Sequence, residues 1–272
     1  MDLLDLPNAP SFEDNRHCLL IVDAFSSYHT SLFSPTKNDL IDQLATYLLW
    51  HYNFTERHPN FFQMDGAGEL RGARITALME RYGISPRYSE PYDAKPNGRA
   101  EKSVELVVKY LWSVLHHSGL SYRFWTYAVT YWTQVRNRIP LVPNTTSSED
   151  SVGESPYTAY FPNSTNNVAN FAIFGAFATV HLTKARMIDL NRHTKLDVNT
   201  LSGVYLGIAP PGRSRKEVII HVPCLKKVLV VRQCNLDATF LPYRKTNRRI
   251  RPFEHPAIQN RFFYLMRTSE AC

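Results

Sequence analysis

Three observations predict an α/β domain over residues 1–142 and a small all-β module over 169–242. Near the start, apolar runs of strand length give way to segments of helical period that alternate with short strands, the pattern of an α/β layer structure. A stretch rich in Pro, Ser, Thr and Asn, Pro143–Pro156, then breaks the pattern. Punctuation that dense marks a linker, which we place at 143–168. Beyond it the apolar residues fall into short β-type runs separated by Gly, Pro and Arg turns, and residues 243–272 form a basic tail.

The elements follow in order. Asp2–Leu6 (DLLDL) reads as the end of a strand whose beginning is missing. Cys18–Asp23 is an apolar strand ending in an acid, and Tyr28–Phe33 is a second strand, with Ser26 and Ser27 in the turn between them. Leu40, Ile41, Leu44, Tyr47 and Leu48 share one face of a helix over Asn38–Phe54, with Asn38 as its N-cap. Asn60–Met64 reads as a buried strand, and Gly72–Tyr82 as a helix ended by Gly83. Ile84–Ser89 leads into a loop punctuated by Pro96, Asn97 and Gly98. A helix over Glu101–Leu115 follows, with Val104, Val107, Val108, Leu111 and Val114 near the 3.6 period, and then another over Ser121–Asn137. The β runs of the second part are Phe171–His181, Leu201–Ile208, Glu217–His221 and Lys227–Arg232.

The 272 residues are 44% hydrophobic and 12% aromatic, enough to bury a core in each of two domains. No apolar run approaches membrane-spanning length, so no membrane partner is expected, and the N-terminus lacks the pattern of a secretory signal. The four cysteines are scattered with no C-x-x-C pair, which argues against a disulfide framework or a closed zinc site and for a reducing compartment. Net charge is +7, but residues 211–272 carry +9 and residues 1–210 carry −2. Positive charge gathered in one part points to a polyanion partner such as nucleic acid.

Two acids stand out. Asp65 ends an apolar run and precedes Gly66 and Gly68, and 35 residues separate it from Glu101. Alone, Glu101 in the first turn of a helix reads equally well as a charge placed against the helix dipole. With further carboxylates from separate elements, it forms a set of hard oxygen donors that require a counter-charge such as Mg²⁺ or Mn²⁺. Two such ions about 4 Å apart serve phosphodiester chemistry by activating the attacking oxygen and stabilising the leaving one. Gly98 gives the loop before Glu101 freedom to move, and Arg99, Lys102 and Lys109 are candidates for holding phosphates.

These residues resemble the integrase of copia-type long-terminal-repeat retrotransposons, a part of the Pol polyprotein. Asp65 in MDGAGE matches the family's second catalytic Asp, and Pro91, Asn97–Gly98 and Ala100–Glu101 match its loop-and-glutamate signature, gap included. Phe124–Trp125, Ala128, Asn137–Pro140, Ser155–Tyr157, Phe174–Gly175, Lys195 and Gly203–Ile208 resemble the motifs that follow. The resemblance covers about residues 1–242. It implies an RNase H-like catalytic core with a mixed sheet and flanking helices, then an SH3-like module. It also implies Mg²⁺-dependent polynucleotidyl transfer that inserts element DNA into target DNA, RNA as a further ligand, a homo-oligomer, and action in the nucleus after a cytoplasmic particle stage. The family places its first acid before a Gly-Pro pair, with another acid about 21 residues later. Asp23 fits the later acid and Asp2 lies 21 residues before it, so the implied catalytic and metal-binding set is Asp2, Asp65 and Glu101, with Asp5 as runner-up to Asp2. Asp23 itself reads as a strand-end acid. The implied nucleic-acid contacts are Arg99, Lys102 and Lys109, together with Arg244, Lys245, Arg248 and Arg249 in the tail.

Departures from the family pattern keep a second reading open. Asp5-Leu6 stands where the Gly-Pro pair would be, and Lys102–Glu105 lacks the usual basic residues. His17 and Cys18 have no partners at zinc-ligand spacing, so no His/Cys zinc domain is expected. The second reading is an integrase-derived fragment that binds nucleic acid without catalysis. A third, another RNase H-like nuclease or a cut-and-paste transposase, lacks support from the β-module motifs.

Overall fold

The structure is a computed structural model that describes residues 1–6, 8–64, 72–88, 98–140, 153–166, 168, 171–182, 199–209 and 217–244. It divides into two compact units, one of Met1–Trp112 and Tyr122–Asn167, the other of Ser113–Ser121 and the residues from Val168 on.

The first unit is built on β1 (Asp2–Asp5), β2 (His17–Val22) and β3 (His29–Ser34), an antiparallel meander in which β2 is central. A second, parallel pair joins β4 (Phe61–Met64) to β5 (Ser85–Tyr88). The two sets adjoin where the Met1 amine donates to the Gln63 carbonyl at 2.6 Å, setting β4 beside the start of β1. β5 falls where the sequence predicts only an approach to the loop. Its residues, Ser-Pro-Arg-Tyr, are mostly polar and mostly exposed, so neither alternation nor an apolar run announces it.

Helix α1 (Lys37–Thr55) starts one residue before the predicted cap Asn38. Thr36, in extended backbone, accepts from the Asp39 amide at 3.2 Å and so takes the capping role expected of Asn38. Leu40, Leu44, Tyr47 and Leu48 are buried, the expected face. They meet Leu19 and Ile21 of β2, Phe62 and Met64 of β4, and Ile75, Leu78 and Met79 of α2 (Ala73–Arg81) in one apolar core. The chain leaves α2 through Gly83 at φ +65°, with the Ile84 amide bonded back to the Met79 carbonyl at 2.9 Å.

Helix α3 (Gly98–Ser118) is buried along Ala100, Ser103, Val107, Leu111 and Leu115. A 3₁₀ turn at Tyr122–Phe124 leads into α4 (Trp125–Arg136), which is buried on most sides and packs against β3. Within the stretch expected as a linker, Ser155 caps a short helix, α5 (Pro156–Tyr160). Tyr160 at its end stacks on Tyr28 at 4.4 Å between ring centroids, and Phe161 meets Trp50 and Phe54 of α1 edge-on.

The second unit contains a five-stranded antiparallel sheet of order β10-β6-β7-β8-β9, from β6 (Phe177–His181), β7 (Thr200–Ile208), β8 (Val218–Val222), β9 (Lys227–Val231) and β10 (Cys234–Asp237). β10 escapes sequence reading because Cys-Asn-Leu-Asp has no strong β character. Gly203 of β7 passes so close to β8 that an added Cβ would lie 2.4 Å from the Ile220 side chain. Gly119, just past α3, has φ +72°, and its Cβ would lie 1.9 Å from the Tyr243 carbonyl oxygen, so no side chain fits there.

Candidate active site

Side-chain alternation sorts the β1–β3 sheet into two faces. Residues paired across antiparallel strands share a face, so Leu3, Asp5, His17, Leu19, Ile21 and Leu32 lie on one side. Leu3, Leu19, Ile21 and Leu32 belong to the core beneath α1. Asp2, Leu4, Cys18, Leu20, His29 and Phe33 lie on the other. There Phe33 meets Trp125 of α4 edge-on at 5.6 Å, and His29 meets Trp132 at 5.1 Å.

This division separates the two candidates for the first acid. Asp5 lies at the rim of the α1 face with both carboxylate oxygens taken, one by His17 Nδ1 at 2.6 Å and one by Lys37 Nζ at 2.7 Å. Burial raises its pKa, but hydrogen bonds from Lys37 and His17 outweigh that effect and hold it below the usual carboxylate range. Asp2 projects to the α3/α4 face, and its Oδ1 accepts the Leu3 amide at 2.8 Å. The hydrogen bond from the adjacent Met1 amine to Gln63 sets Asp2 beside the end of β4, one residue before Asp65 in the chain. Asp65, with Gly66 and Gly68, lies outside the described residues.

The first turn of α3, which carries Glu101, is fixed to the same face. Ser103 Oγ donates to the Arg99 carbonyl at 2.8 Å, so its lone pair accepts from His29 Nε2 at 3.0 Å. His29 is itself clamped: its amide donates to Asn137 Oδ1 at 2.7 Å, and its carbonyl accepts from Asn137 Nδ2 at 2.8 Å. Burial, with help from Arg136, lowers the His29 pKa to about 4. Arg99 Nη1 donates to the Ala24 carbonyl at 2.5 Å, so the turn between β2 and β3 also holds the helix start. Glu101 is exposed beside these contacts. Asp23 is occupied within that turn, its Oδ2 accepting from both the amide and the hydroxyl of Ser26 at 2.7 Å.

The basic candidates fall in different settings. Lys102 and Lys109 both pair with Glu105, three residues after one and four before the other, and their hydrogen bonds lower its pKa to about 2. Arg244 ends the described residues in an exposed turn of the second unit. Lys245, Arg248 and Arg249 lie beyond them. Among the described residues no group of three or more His, Cys, Asp or Glu side chains forms a metal cluster. The sequence does not single out His29 or Ser103, because their link joins residues 74 apart in the chain. Asn137 carries one signal, its place in the Asn-Arg-Ile-Pro motif.

An antiparallel set and a parallel pair of strands with helices packed against them, followed by an antiparallel β unit, make a mixed α/β fold with a β-rich second part. In sequence the chain is similar to transposon Ty1 Gag-Pol polyproteins. It is 23% identical over 198 residues to the truncated transposon Ty1-A Gag-Pol polyprotein of Saccharomyces cerevisiae, a match that covers 73% of this chain and 15% of that polyprotein. The chain thus spans under a sixth of that relative's length. Among solved structures, the simian T-cell lymphotropic virus intasome is similar at a TM-score of 0.43 and 10% identity, over 79% of this chain and 69% of that one. The catalytic core domain of BIV integrase is similar at a TM-score of 0.39 and 14% identity, over 59% of this chain and 92% of that one. No family model matches the chain.

Proposed function

We propose that this chain is the catalytic core and β module of a retrotransposon integrase, which joins the ends of element DNA to target DNA. The observation that carries this reading is the shared face: Asp2 and the turn bearing Glu101 lie on one side of the β1–β3 sheet, with the end of β4 alongside Asp2. In the reaction, a 3′-hydroxyl oxygen forms a bond to a target phosphorus, the existing P–O3′ bond breaks, and the attacking proton leaves as the departing 3′ oxygen gains one. The donor set fits a hard divalent cation, because Asp2, Asp65 and Glu101 offer only carboxylate oxygens and Asp2 and Glu101 come from elements packed on one face. Mg²⁺ or Mn²⁺ held there supplies the counter-charge for an attacking and a leaving oxygen. Arg99 and the His29–Ser103 contact hold Glu101 at a fixed height over the sheet, which keeps the acids in register with a bound phosphate. The basic residues from Arg244 on give non-specific affinity for the DNA backbone. Assembly on two DNA partners makes a homo-oligomer the expected working form.

The test is strand joining by purified protein, with labelled duplexes that carry the element's terminal repeat and Mn²⁺ or Mg²⁺ present. Wild type should yield joined product. Asp2→Asn, Asp65→Asn and Glu101→Gln should each reduce it by at least about a hundredfold, the scale for removing a group that acts in the transition state. Asp5→Asn should retain joining. Equal activity of wild type and Glu101→Gln, or loss in Asp5→Asn with Asp2→Asn active, defeats the assignment. A protein that binds DNA yet joins nothing is a nucleic-acid-binding fragment.

A further inference from the structure

Phe25 is 90% exposed, more than the other exposed large apolar side chains among the described residues. It sits in the turn between β2 and β3, and none of the bonds closing that turn uses its side chain. The Asp23 amide donates to the Tyr28 carbonyl at 2.9 Å, and the Ser27 amide to the Asp23 carbonyl at 3.0 Å. The Asp23 carboxylate takes two hydrogen bonds from Ser26, whose hydroxyl oxygen accepts from the Tyr28 amide at 3.1 Å. Ser27 adopts φ +58° to complete the reversal. The nearby aromatic, Tyr28, faces inward and stacks on Tyr160. The turn is therefore held on both sides while it presents a bare phenyl ring to solvent. Folding does not call for that ring, since a polar residue at Phe25 would leave every one of these bonds intact.

The location says what the ring meets. Ala24, the residue before it, accepts the Arg99 guanidinium, and Arg99 is two residues from Glu101. The turn that carries the ring thus flanks the helix start that bears the acid. Arg99 brings its guanidinium, a cation suited to phosphate, to a carbonyl one residue along the chain from an exposed π face. A flat apolar surface next to a phosphate-binding cation matches a nucleotide: base on the ring, phosphate on the arginine. Bases inside a duplex are stacked on each other, so an internal base reaches such a ring only when released from pairing.

We infer that Phe25 is a stacking platform for an unpaired nucleobase at the DNA end, placed so that the adjoining backbone enters the acid site. This deepens the integrase reading and rests on it. The prediction is a binding preference. Wild type should bind a terminal-repeat duplex with two mismatched, splayed base pairs at its end more tightly than the fully paired duplex. Phe25→Ala should weaken binding to the splayed end by about fivefold to a hundredfold, the range for loss of one base–aromatic stack, and should leave the paired duplex unaffected. Phe25→Trp should restore the preference. The measurement is fluorescence anisotropy, repeated with 2-aminopurine at the splayed position, whose emission drops when the base stacks.

Because the side chain is exposed, Phe25→Ala should keep the wild-type melting temperature, which separates lost stacking from lost folding. Phe25→Ala binding the splayed end as wild type does, or wild type showing no preference, overturns the inference while leaving the integrase reading standing. A protein that keeps the preference but joins no DNA leaves Phe25 as a stacking residue and defeats the catalytic reading. A wild type that binds neither duplex defeats both.

Discussion

On one face of the β1–β3 sheet, the layer under α1 is mostly aliphatic, with Leu19, Ile21, Leu40, Leu44, Leu48, Met64, Ile75 and Met79 packed around Tyr47 and Phe62. At its rim, His17 and Lys37 each bond the Asp5 carboxylate. The face under α3 and α4 mixes aromatic rings with polar groups, and its contacts are specific: His29 to Ser103, Asn137 to the backbone of β3, Trp132 against His29. Hydrophobic burial is non-directional, so the first face fixes that α1 packs there without fixing any single atom. Hydrogen bonds are directional and costly to leave unmade, so the second face fixes where the first turn of α3 sits. A catalytic carboxylate requires the second kind of control. The contrast teaches that the sheet is a mixed device, with stability concentrated on one face and placement on the other.

The most forceful way to test this contrast is to damage the stabilising face and ask what survives. Leu48 is fully buried among aliphatic neighbours. Leu48→Ala should lower unfolding free energy by about 2–5 kcal/mol, the lost transfer energy plus a cavity, read by urea denaturation. Under conditions where the variant remains folded, its affinity for DNA should equal that of wild type, because no contact to the first turn of α3 has changed. A variant with intact stability would show that the aliphatic layer is not the main anchor of α1.

The second test uses pH to address the placing face. His29 is buried and neutral, with its pKa lowered to about 4 by desolvation and by Arg136, and in the unfolded chain it titrates near 6.5. Between those values the unfolded state binds more protons than the folded one, so stability is complete above about pH 6.5 and falls as pH drops towards 4. The slope from this group approaches about 1.4 kcal/mol per pH unit inside that window. The Met1 amine, lowered to about 6 by burial, and His51 and His221, both lowered by burial, add slopes of the same sign. His29→Gln keeps a side-chain donor for Ser103 and removes the titration. Its stability should therefore lose less between pH 6.5 and 4.5 than that of wild type, the difference isolating His29. Parallel pH curves for the two proteins would mean that His29 takes up its proton without disturbing the face.

The same contrast explains what the sequence reveals. The aliphatic face is legible because burial leaves a periodic trace: the spacing of Leu40, Leu44, Tyr47 and Leu48 is enough to announce α1. Even there the cap lies two residues before the expected one, since capping depends on the extended backbone of Thr36, which composition does not encode. The placing face is built from pairs distant in the chain. Nothing near Ser103 announces His29, and nothing near His29 announces Asn137. β5 and β10 are silent for another reason: their pairing comes from the backbone, and their side chains have weak β preference. Glu101 is proposed on its distance to Asp65 and on the Gly-jointed loop before it, both read from the sequence. Which of Asp2 and Asp5 shares its face follows only from strand register, because two residues three apart on a strand point to opposite sides.

The smallest effect sharpens the contrast from outside, on the solvent side of α3. Lys102 and Lys109 lie along the helix that carries Glu101, and Glu105 engages both. Exposed pairs of this kind contribute little to stability, so Glu105→Gln should leave the urea midpoint unchanged. Their effect is electrostatic: an anion between two cations lowers the positive potential that a DNA backbone meets. Removing it withdraws that anion from beside both ammonium groups, and each new phosphate contact steepens the decline of log K with log salt by about 0.9. Glu105→Gln should therefore bind duplex DNA more tightly at low salt, by a few-fold, with a slope steeper by about one to two. The gain should vanish near 0.5 M salt, where screening is nearly complete over the distances involved. An unchanged slope would mean that DNA does not run along this side of α3, and would shift the backbone path towards the turn that carries Phe25 and Arg99.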